Sequence, residues 1–370
     1  MPGAPGASHG RLPAITYDAE SALGSHDAHH HAWQECLFTG GAFRRPAGGG
    51  TIGVRDKASG EIFALAGLAT GADVDSAVEA ARTAPPGIFG VLPGDVEVGQ
   101  RLVTHPDVSM IHFTGSTKVG REIAREAGGL LKKVSLELGG NNALIVLDDA
   151  DIEQATMIGA WSSFHYQGQT CITAGRHIVA RKLADAYVEG LAKRADAITV
   201  GNTVTGNFGL GPMINAGQQQ RAQQLLDESV AAGAVIVAGG TSEGPFFRPT
   251  VVTGVSRESR LWNEEIFAPI APVLAVDGEE EALAVANDTP YGLVNSVLTG
   301  DPYRGMRFAR GLRAGMVHVN DATPQDEALA PFGGVGQSGL GGRSGGDANI
   351  EEFTERRWLT VTPGPAHYPY

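Results

Sequence analysis

Two residues carry the chemistry this sequence could perform. Cys171 closes Gly168-Gln169-Thr170-Cys171, a single thiol among small residues just after a helical pattern. Taken alone, such a cysteine is better explained as a small buried hydrophobe, and its surroundings must overturn that reading. A working nucleophile needs a site that favours thiolate or supplies a base, because an ordinary thiol titrates near ~8.5. Glu137 lies in Leu136-Glu137-Leu138-Gly139-Gly140, an acid inside an otherwise apolar strand that stops at two glycines. Glutamate seldom enters such a strand without a partner. It is either a capped or salt-bridged core carboxylate, or a general base whose raised pKa lets it take a proton from water or a thiol near neutral pH.

Three further segments could hold a ligand. Gly115-Ser116-Thr117-Lys118-Val119-Gly120 joins a strand to a helix and offers backbone N–H groups at a helix start, where a pyrophosphate could sit. Its spacing matches neither G-x-G-x-x-G nor a Walker loop. Glu264-Glu265-Ile266-Phe267-Ala268-Pro269 presents a carboxylate able to accept ribose hydroxyls beside a ring that could pack on a flat heterocycle. By itself it also reads as a surface acid and a core phenylalanine. Pro331-Phe332-Gly333-Gly334 reads locally as a plain turn.

The elements that must position these groups follow an α/β alternation from Thr51 onward. The pattern predicts a helix over 73–83 running into Pro85-Pro86, and strands at 88–92, 109–113, 134–138 and 143–147. A helix should start near Val119, and Asp149 is placed to cap the helix that leads toward Trp161. Beyond Cys171, helices are expected at 183–197, 216–232 and 279–287, with strands at 235–238 and 316–320. No internal repeat is visible.

The 370 residues, 42% of them hydrophobic, suffice for two ordinary domains or one large α/β unit. Glycine is abundant at 52 residues but shows no three-residue period, so collagen-like readings fail. With 28 basic against 41 acidic residues, a net charge of −13, there is no electrostatic footprint for nucleic acid. Ala143–Leu147 is the longest kind of apolar run present, far below the ~18 residues of a membrane span. Residues 1–32 are polar and aperiodic and read as a mobile tail without a secretory h-region. Its cluster His26, His29, His30 and His31 lacks the pre-positioning a metal site needs, so no metal is expected. Only Cys36 and Cys171 are present, which leaves no disulfide framework and points to the reducing cytoplasm.

Taken together and in order, the motifs resemble the aldehyde dehydrogenase superfamily: Phe113 to Thr117, Leu136 to Gly140, Gly168 to Cys171, Glu264 to Pro269 and Pro331 to Gly334. Leu138 to Asn142, Ala314 to Asp321 and the run from Gly341-Gly342-Arg343 through Thr354 look most like its bacterial benzaldehyde dehydrogenase branch. The resemblance spans about Trp33 to Tyr370. It implies an α/β fold with a truncated Rossmann-type coenzyme domain (33–139), an α/β catalytic domain (140–340) and a C-terminal segment (341–370) carrying the family oligomerisation strand.

By the same resemblance, the Cys171 thiolate attacks an aldehyde, hydride passes to NAD (NADP staying open), and Glu137 activates water to hydrolyse the resulting thioester. The implied coenzyme contacts are Gly115, Ser116, Thr117, Gly120, Leu138, Gly139, Glu265 and Phe267, with Ser116 at the pyrophosphate and Glu265 at the nicotinamide ribose. Phe332 lines the site near the ring, and Trp161 faces an aromatic substrate unless it is a core residue.

The chain departs from the family between Ala84 and Pro85. Relatives run on there through the first coenzyme strands, a P-W-N-F-P string with an oxyanion-hole asparagine, and a lysine in K-P-S/D; none of these strings occurs here. Loss of an oxyanion donor alone costs ~10²–10³ in rate in a protease. The remaining strands should expose an apolar edge. The family's homo-oligomer hairpin should also be missing, leaving residues 357–361 without a usual partner. Ala268 stands where relatives commonly have Gly, and Gly336 where many have Lys. Three readings therefore compete: an aldehyde dehydrogenase acting on an aromatic aldehyde, a catalytically impaired remnant, and a coenzyme-independent thiol esterase using Cys171 and Glu137.

Overall fold

The computed structural model describes residues 33–82, 88–364 and 366–370. The tail with its histidine cluster and the Ala84–Pro85 junction lie outside the described residues. Two antiparallel hairpins come first, β1 (Leu37–Thr39) with β2 (Ala42–Arg44) and β3 (Thr51–Arg55) with β4 (Ile62–Gly67), then helices α1 (Gly71–Arg82) and α2 (Val96–Thr104). Leu37, Ala69, Val74 and Val98 make a small core beneath them.

The strand expected at 88–92 does not form. Val91 alone pairs, in a single bridge to Phe38, while Ile88 and Phe89 lie exposed. Pro93 follows within two residues and has no N–H to extend a ladder.

A three-stranded sheet follows. Strand β5 (Met110–Gly115) leads into helix α3 (Thr117–Gly129) and pairs in parallel with β6 (Lys133–Leu138). The other edge of β6 is taken by a short late strand, Gly339–Leu340, running antiparallel. Val103, Ile111 and Ala127 pack beneath this sheet. Strand β5 forms its open edge, with the side chains of His112 and Thr114 exposed.

Immediately after β6 the chain enters β7 (Asn142–Val146), helix α4 (Ile152–Phe164) and β8 (Ala174–Ala180). Helices α5 (Arg181–Ala197) and α6 (Ala216–Ala231) come next, with β9 (Val235–Ala238), the small hairpin β10 (Ser242–Glu243) and β11 (Phe246–Phe247), and β12 (Thr250–Thr253). The remaining elements are α7 (Arg260–Asn263), β13 (Ile270–Val276), α8 (Gly278–Asn287), β14 (Val294–Leu298), α9 (Pro302–Ala309), β15 (Met316–Val319), β16 (Gly339–Leu340, the late strand above) and α10 (Asp347–Phe353). Seven of these strands form one sheet in the order β15-β14-β7-β8-β13-β12-β9, parallel except for β9.

The apolar run at 143–147 is explained by this sheet. Ala143, Ile145 and Leu147 join the core on one face, and Leu144 and Val146 the core on the other. A parallel strand covered on both faces shows no polar alternation. The cap of α4 is Asp151, whose carboxylate accepts from the Gln154 N–H at 2.8 Å. The expected cap, Asp149, instead accepts from Thr299 Oγ1 at 2.8 Å and pairs with Arg304 at 2.8 Å. Side chains supplied by the residue after β14 and by α9, far along the chain, outbid the local bond. Residues 357–361 join no sheet among the described residues, and Trp358, Leu359 and Val361 are exposed. No helix among the described residues is long and apolar enough to cross a membrane.

Candidate active site

Glu137 is the penultimate residue of β6, in a stretch whose last four side chains are all buried. It is 7% exposed, and its Oε2 has no hydrogen-bond partner among the described residues. Burial pushes its pKa up to about 7, partly opposed by the Arg343 guanidinium. Among the described residues no ion pair at contact distance neutralises the group, which speaks against the simple salt-bridged core reading. Gly333, with φ +149°, comes so close that a Cβ there would lie 2.7 Å from Glu137 Oε1. The Pro-Phe-Gly-Gly turn therefore forms one wall around this carboxylate.

The two glycines ending the strand make room for a second acid. Glu265 Oε2 lies only 2.1 Å from where a Gly139 Cβ would stand, and the Gly140 N–H donates to Oε1 at 3.2 Å. Burial raises Glu265 to about 7 as well, opposed by that N–H and by Arg221. Its neighbour Glu264 answers the surface-acid reading, paired with Arg260 at 2.6 Å and Arg221 at 3.0 Å.

Cys171 reaches the same place from the other sheet. Helix α4 ends in a turn in which Tyr166, Gln167 and Gly168 all take positive φ, at 52°, 57° and 63°. Three successive left-handed residues reverse the chain tightly, and two of them are not glycine. At Gly168 a Cβ would stand 2.3 Å from the Ala268 carbonyl oxygen, so only glycine fits. The Cys171 backbone oxygen then lies 2.9 Å from a Gly140 Cβ position. The thiol is pushed up to about 11 by burial, then by Glu265 and more weakly by Glu137, while the N–H groups of Cys171 and Ile172 draw it down. Cys171, Glu137 and Glu265 thus share one electrostatic environment, built across the Gly139–Gly140 link.

The expected coenzyme residues divide. Gly139 and Glu265 stand beside the thiol, and Phe267, with φ +54°, lines a cleft with Gln167 and Gln169. Ser116 caps α3, its Oγ accepting from Val119 N at 3.4 Å. Gly115 leaves room for the Phe113 ring, which a Cβ would meet at 2.4 Å, and Thr117 Oγ1 donates to the Gln337 carbonyl at 3.0 Å. Gly120 and Leu138 face each other, with a Gly120 Cβ position 2.4 Å from Leu138 Cδ2, so they pack α3 onto β6 inside the protein.

Phe332 is half-buried and exchanges backbone hydrogen bonds with Ser344 at 2.6 and 2.9 Å. Trp161 is 55% exposed and stacks on His165 at 4.1 Å, so it is not a core residue. Alongside the Cys171 turn, an open cleft of about 1270 Å³ runs beside the β3–β4 hairpin, lined by Ile62, Phe63, Tyr166, Gln167, Gln169 and Phe267 among others.

Sequence reading gave no role to Arg343 or Asn142, both of which act on the central pair. Arg343 converges with Glu137 over Gly333, its Cδ also 2.7 Å from the Cβ position there. No local pattern marks such contacts, because they join segments far apart in the chain.

The match to the aldehyde dehydrogenase family model extends over residues 83–359. The chain belongs to the aldehyde dehydrogenase family. Among its relatives are the vanillin dehydrogenase of Amycolatopsis sp., 48% identical over 77% of this chain and 59% of that protein, and the NAD(+) benzaldehyde dehydrogenase of Pseudomonas putida, 46% identical over 77% and 59%. The chain therefore spans 59% of the length of these curated relatives. Its fold matches an aldehyde dehydrogenase C variant from Pseudomonas syringae, solved with NAD+ and octanal, at a TM-score of 0.84 and 26% identity over 90% of this chain and 97% of that one. The α/β class expected above is the one found; residues 33–82, included in the expected resemblance, precede the span of the family model but fall at least partly within the structural match.

Proposed function

We propose that the protein oxidises an aromatic aldehyde to its acid through a covalent intermediate on Cys171, with NAD as coenzyme. The observation that carries this reading is the convergence of one thiol and two buried carboxylates on Gly139–Gly140. Relatives named for vanillin and benzaldehyde support the aromatic class.

The residues present fit the nicotinamide and pyrophosphate half of a dinucleotide. Glu265 stands beside the thiol, Phe267 lines the adjoining cleft, and the capped start of α3 follows β5. NAD bound there would supply the hydride acceptor. The chain's own groups divide the remaining work. Cys171 Sγ adds to the aldehyde carbon, and its proton leaves to solvent or to a neighbouring carboxylate. Once the carbon has lost hydride and become a thioester, Glu137 takes a proton from water, whose oxygen attacks the acyl carbon and expels the thiolate. A carboxylate held near 7 suits this base role, since it ionises at neutral pH yet keeps appreciable basicity. The domain division at Gly139–Gly140 and the coenzyme role of 33–139 form part of this proposal.

Purified protein with benzaldehyde and NAD+ should form NADH, and Cys171→Ala should abolish it. Absence of NADH from folded protein would overturn the proposal. A second reading is favoured by the end of the coenzyme sheet at β5. Here Cys171 and Glu137 hydrolyse activated esters without coenzyme, and p-nitrophenyl acetate turnover lost in both Cys171→Ala and Glu137→Gln would distinguish it from an inactive remnant.

A further inference from the structure

Asn142 opens β7 directly behind the glycine link and is 2% exposed. Each polar atom of its amide is engaged. Nδ2 donates to the Cys171 carbonyl at 2.8 Å and to the Thr173 carbonyl at 2.7 Å, while Oδ1 accepts from the Val294 N–H at 3.1 Å. We propose that Asn142 is a positioning residue for Cys171, holding the Cys171–Ile172 peptide so that its N–H faces the sulfur.

A planar trans peptide carries its C=O and N–H on opposite sides. Fixing the Cys171 oxygen toward Asn142 turns the Ile172 N–H away from it, and that N–H, with the N–H of Cys171, draws the thiol's pKa down. Donors to the sulfur stabilise thiolate over thiol, against burial and two nearby acids. The anchor is itself fixed. Val294 begins β14, which pairs with β7, so a line of hydrogen bonds runs from the central sheet to the nucleophile. Thr170 and Thr173, linked through their hydroxyls at 2.8 Å, close the same turn from its other side. Serine is too short to span these contacts, leucine has the size without the donors, and aspartate would aim an anion at two carbonyl oxygens. The ionisable groups facing the thiol are Glu265 and Glu137, with Arg343 beside Glu137 and Arg221 and Tyr291 beside Glu265.

This inference rests on Cys171 being the nucleophile, but it concerns thiol ionisation, which is measurable without turnover. Two measurements test it in a Cys36→Ser background. First, in protein labelled with 15N-isoleucine, the Ile172 amide should exchange with solvent faster after Cys171→Ala substitution, which removes the sulfur it faces. Second, Asn142→Leu should move the pH dependence of Cys171 alkylation by iodoacetamide to higher pH. At a fixed pH below the midpoint the rate should fall roughly five- to tenfold, the loss of up to about one pKa unit of thiolate stabilisation. An Ile172 amide whose exchange is unchanged by Cys171→Ala overturns the proposal even if the leucine variant fails to fold. An unchanged alkylation profile in folded Asn142→Leu protein overturns it equally. If both results hold while no NADH forms, the catalytic reading fails and the positioning role stands.

Discussion

Glu137 and Glu265 are each raised to about 7 by burial, so each ionises at neutral pH at the expense of the fold. A carboxyl with a raised folded pKa binds more protons in the native than in the unfolded state between its ordinary value of 4.5 and about 7. Stability is therefore full below that window and declines as pH rises through it. Replacing Glu137 with Gln removes the buried charge. The variant should melt close to wild type at pH ~4 and above it at pH ~8, by up to roughly 3 kcal/mol, from 1.36 kcal/mol per pKa unit. Equal melting differences at the two pH values would refute the burial argument. Gly168→Ala should act oppositely at every pH. Its φ of +63° and the Ala268 oxygen 2.3 Å from the new Cβ should cost about 2–4 kcal/mol, read from chemical denaturation.

What was legible at this scale follows from chemistry that stands out in its surroundings. An acid inside an apolar strand and a lone thiol after a helix announce themselves. Asn142 does not, because its partners are backbone groups at Cys171, Thr173 and Val294, and only the fold brings those together. Nor does sequence tell Trp161 in a core from Trp161 on a surface, since helix α4 carries apolar residues on several sides and Met157 is also exposed.

At the scale of elements, strongly patterned segments appear where expected: α5, α6, α8 and β9 match within two residues at either end. The strand expected at 88–92 fails beside Pro93, whereas Asp149 is a local signal overruled at a distance, drawn off by Thr299 and Arg304. The end of α3 shows a different compromise. Lys132 N–H returns to the Ala127 carbonyl and Leu131 N–H to Gly128, a helix stop in which Leu131 takes φ +57°. Glycine or asparagine usually fills that position. Leu131 is 95% exposed, so its side chain contributes little packing. Leu131→Asn should therefore stabilise the protein by about 0.5–1 kcal/mol, seen as a higher melting temperature. A lower melting temperature would show that Leu131 contributes to packing that this exposure does not indicate.

Across the whole molecule, two sheets of unequal security meet at the candidate active site. The seven-stranded sheet has a core on each face, whereas the three-stranded sheet ends at β5 with only a few buried side chains beneath it. The alternation of elements made the α/β class readable, but not this partition, because strand order depends on pairings between distant segments. Local opening should follow the partition. Hydrogen exchange should be fast for β5 amides, intermediate in β6 and slowest in β7 and β8; protection of β5 equal to that of β7 would contradict this ranking.

The link between the sheets is as short as a chain allows. Between Leu138, the last residue of β6, and Asn142, the first of β7, stand only Gly139, Gly140 and Asn141. Side chains alternate along a strand, so one added residue here would turn Ala143, Ile145 and Leu147 to the face now held by Leu144 and Val146, unless the link absorbed it. Gly139 and Gly140 have no slack for that, since Glu265 and the Cys171 carbonyl already fill the space a side chain would need. In genetic terms this stretch has a fixed word length: codons may be exchanged within it under narrow rules, but a single in-frame insertion or deletion should silence the site.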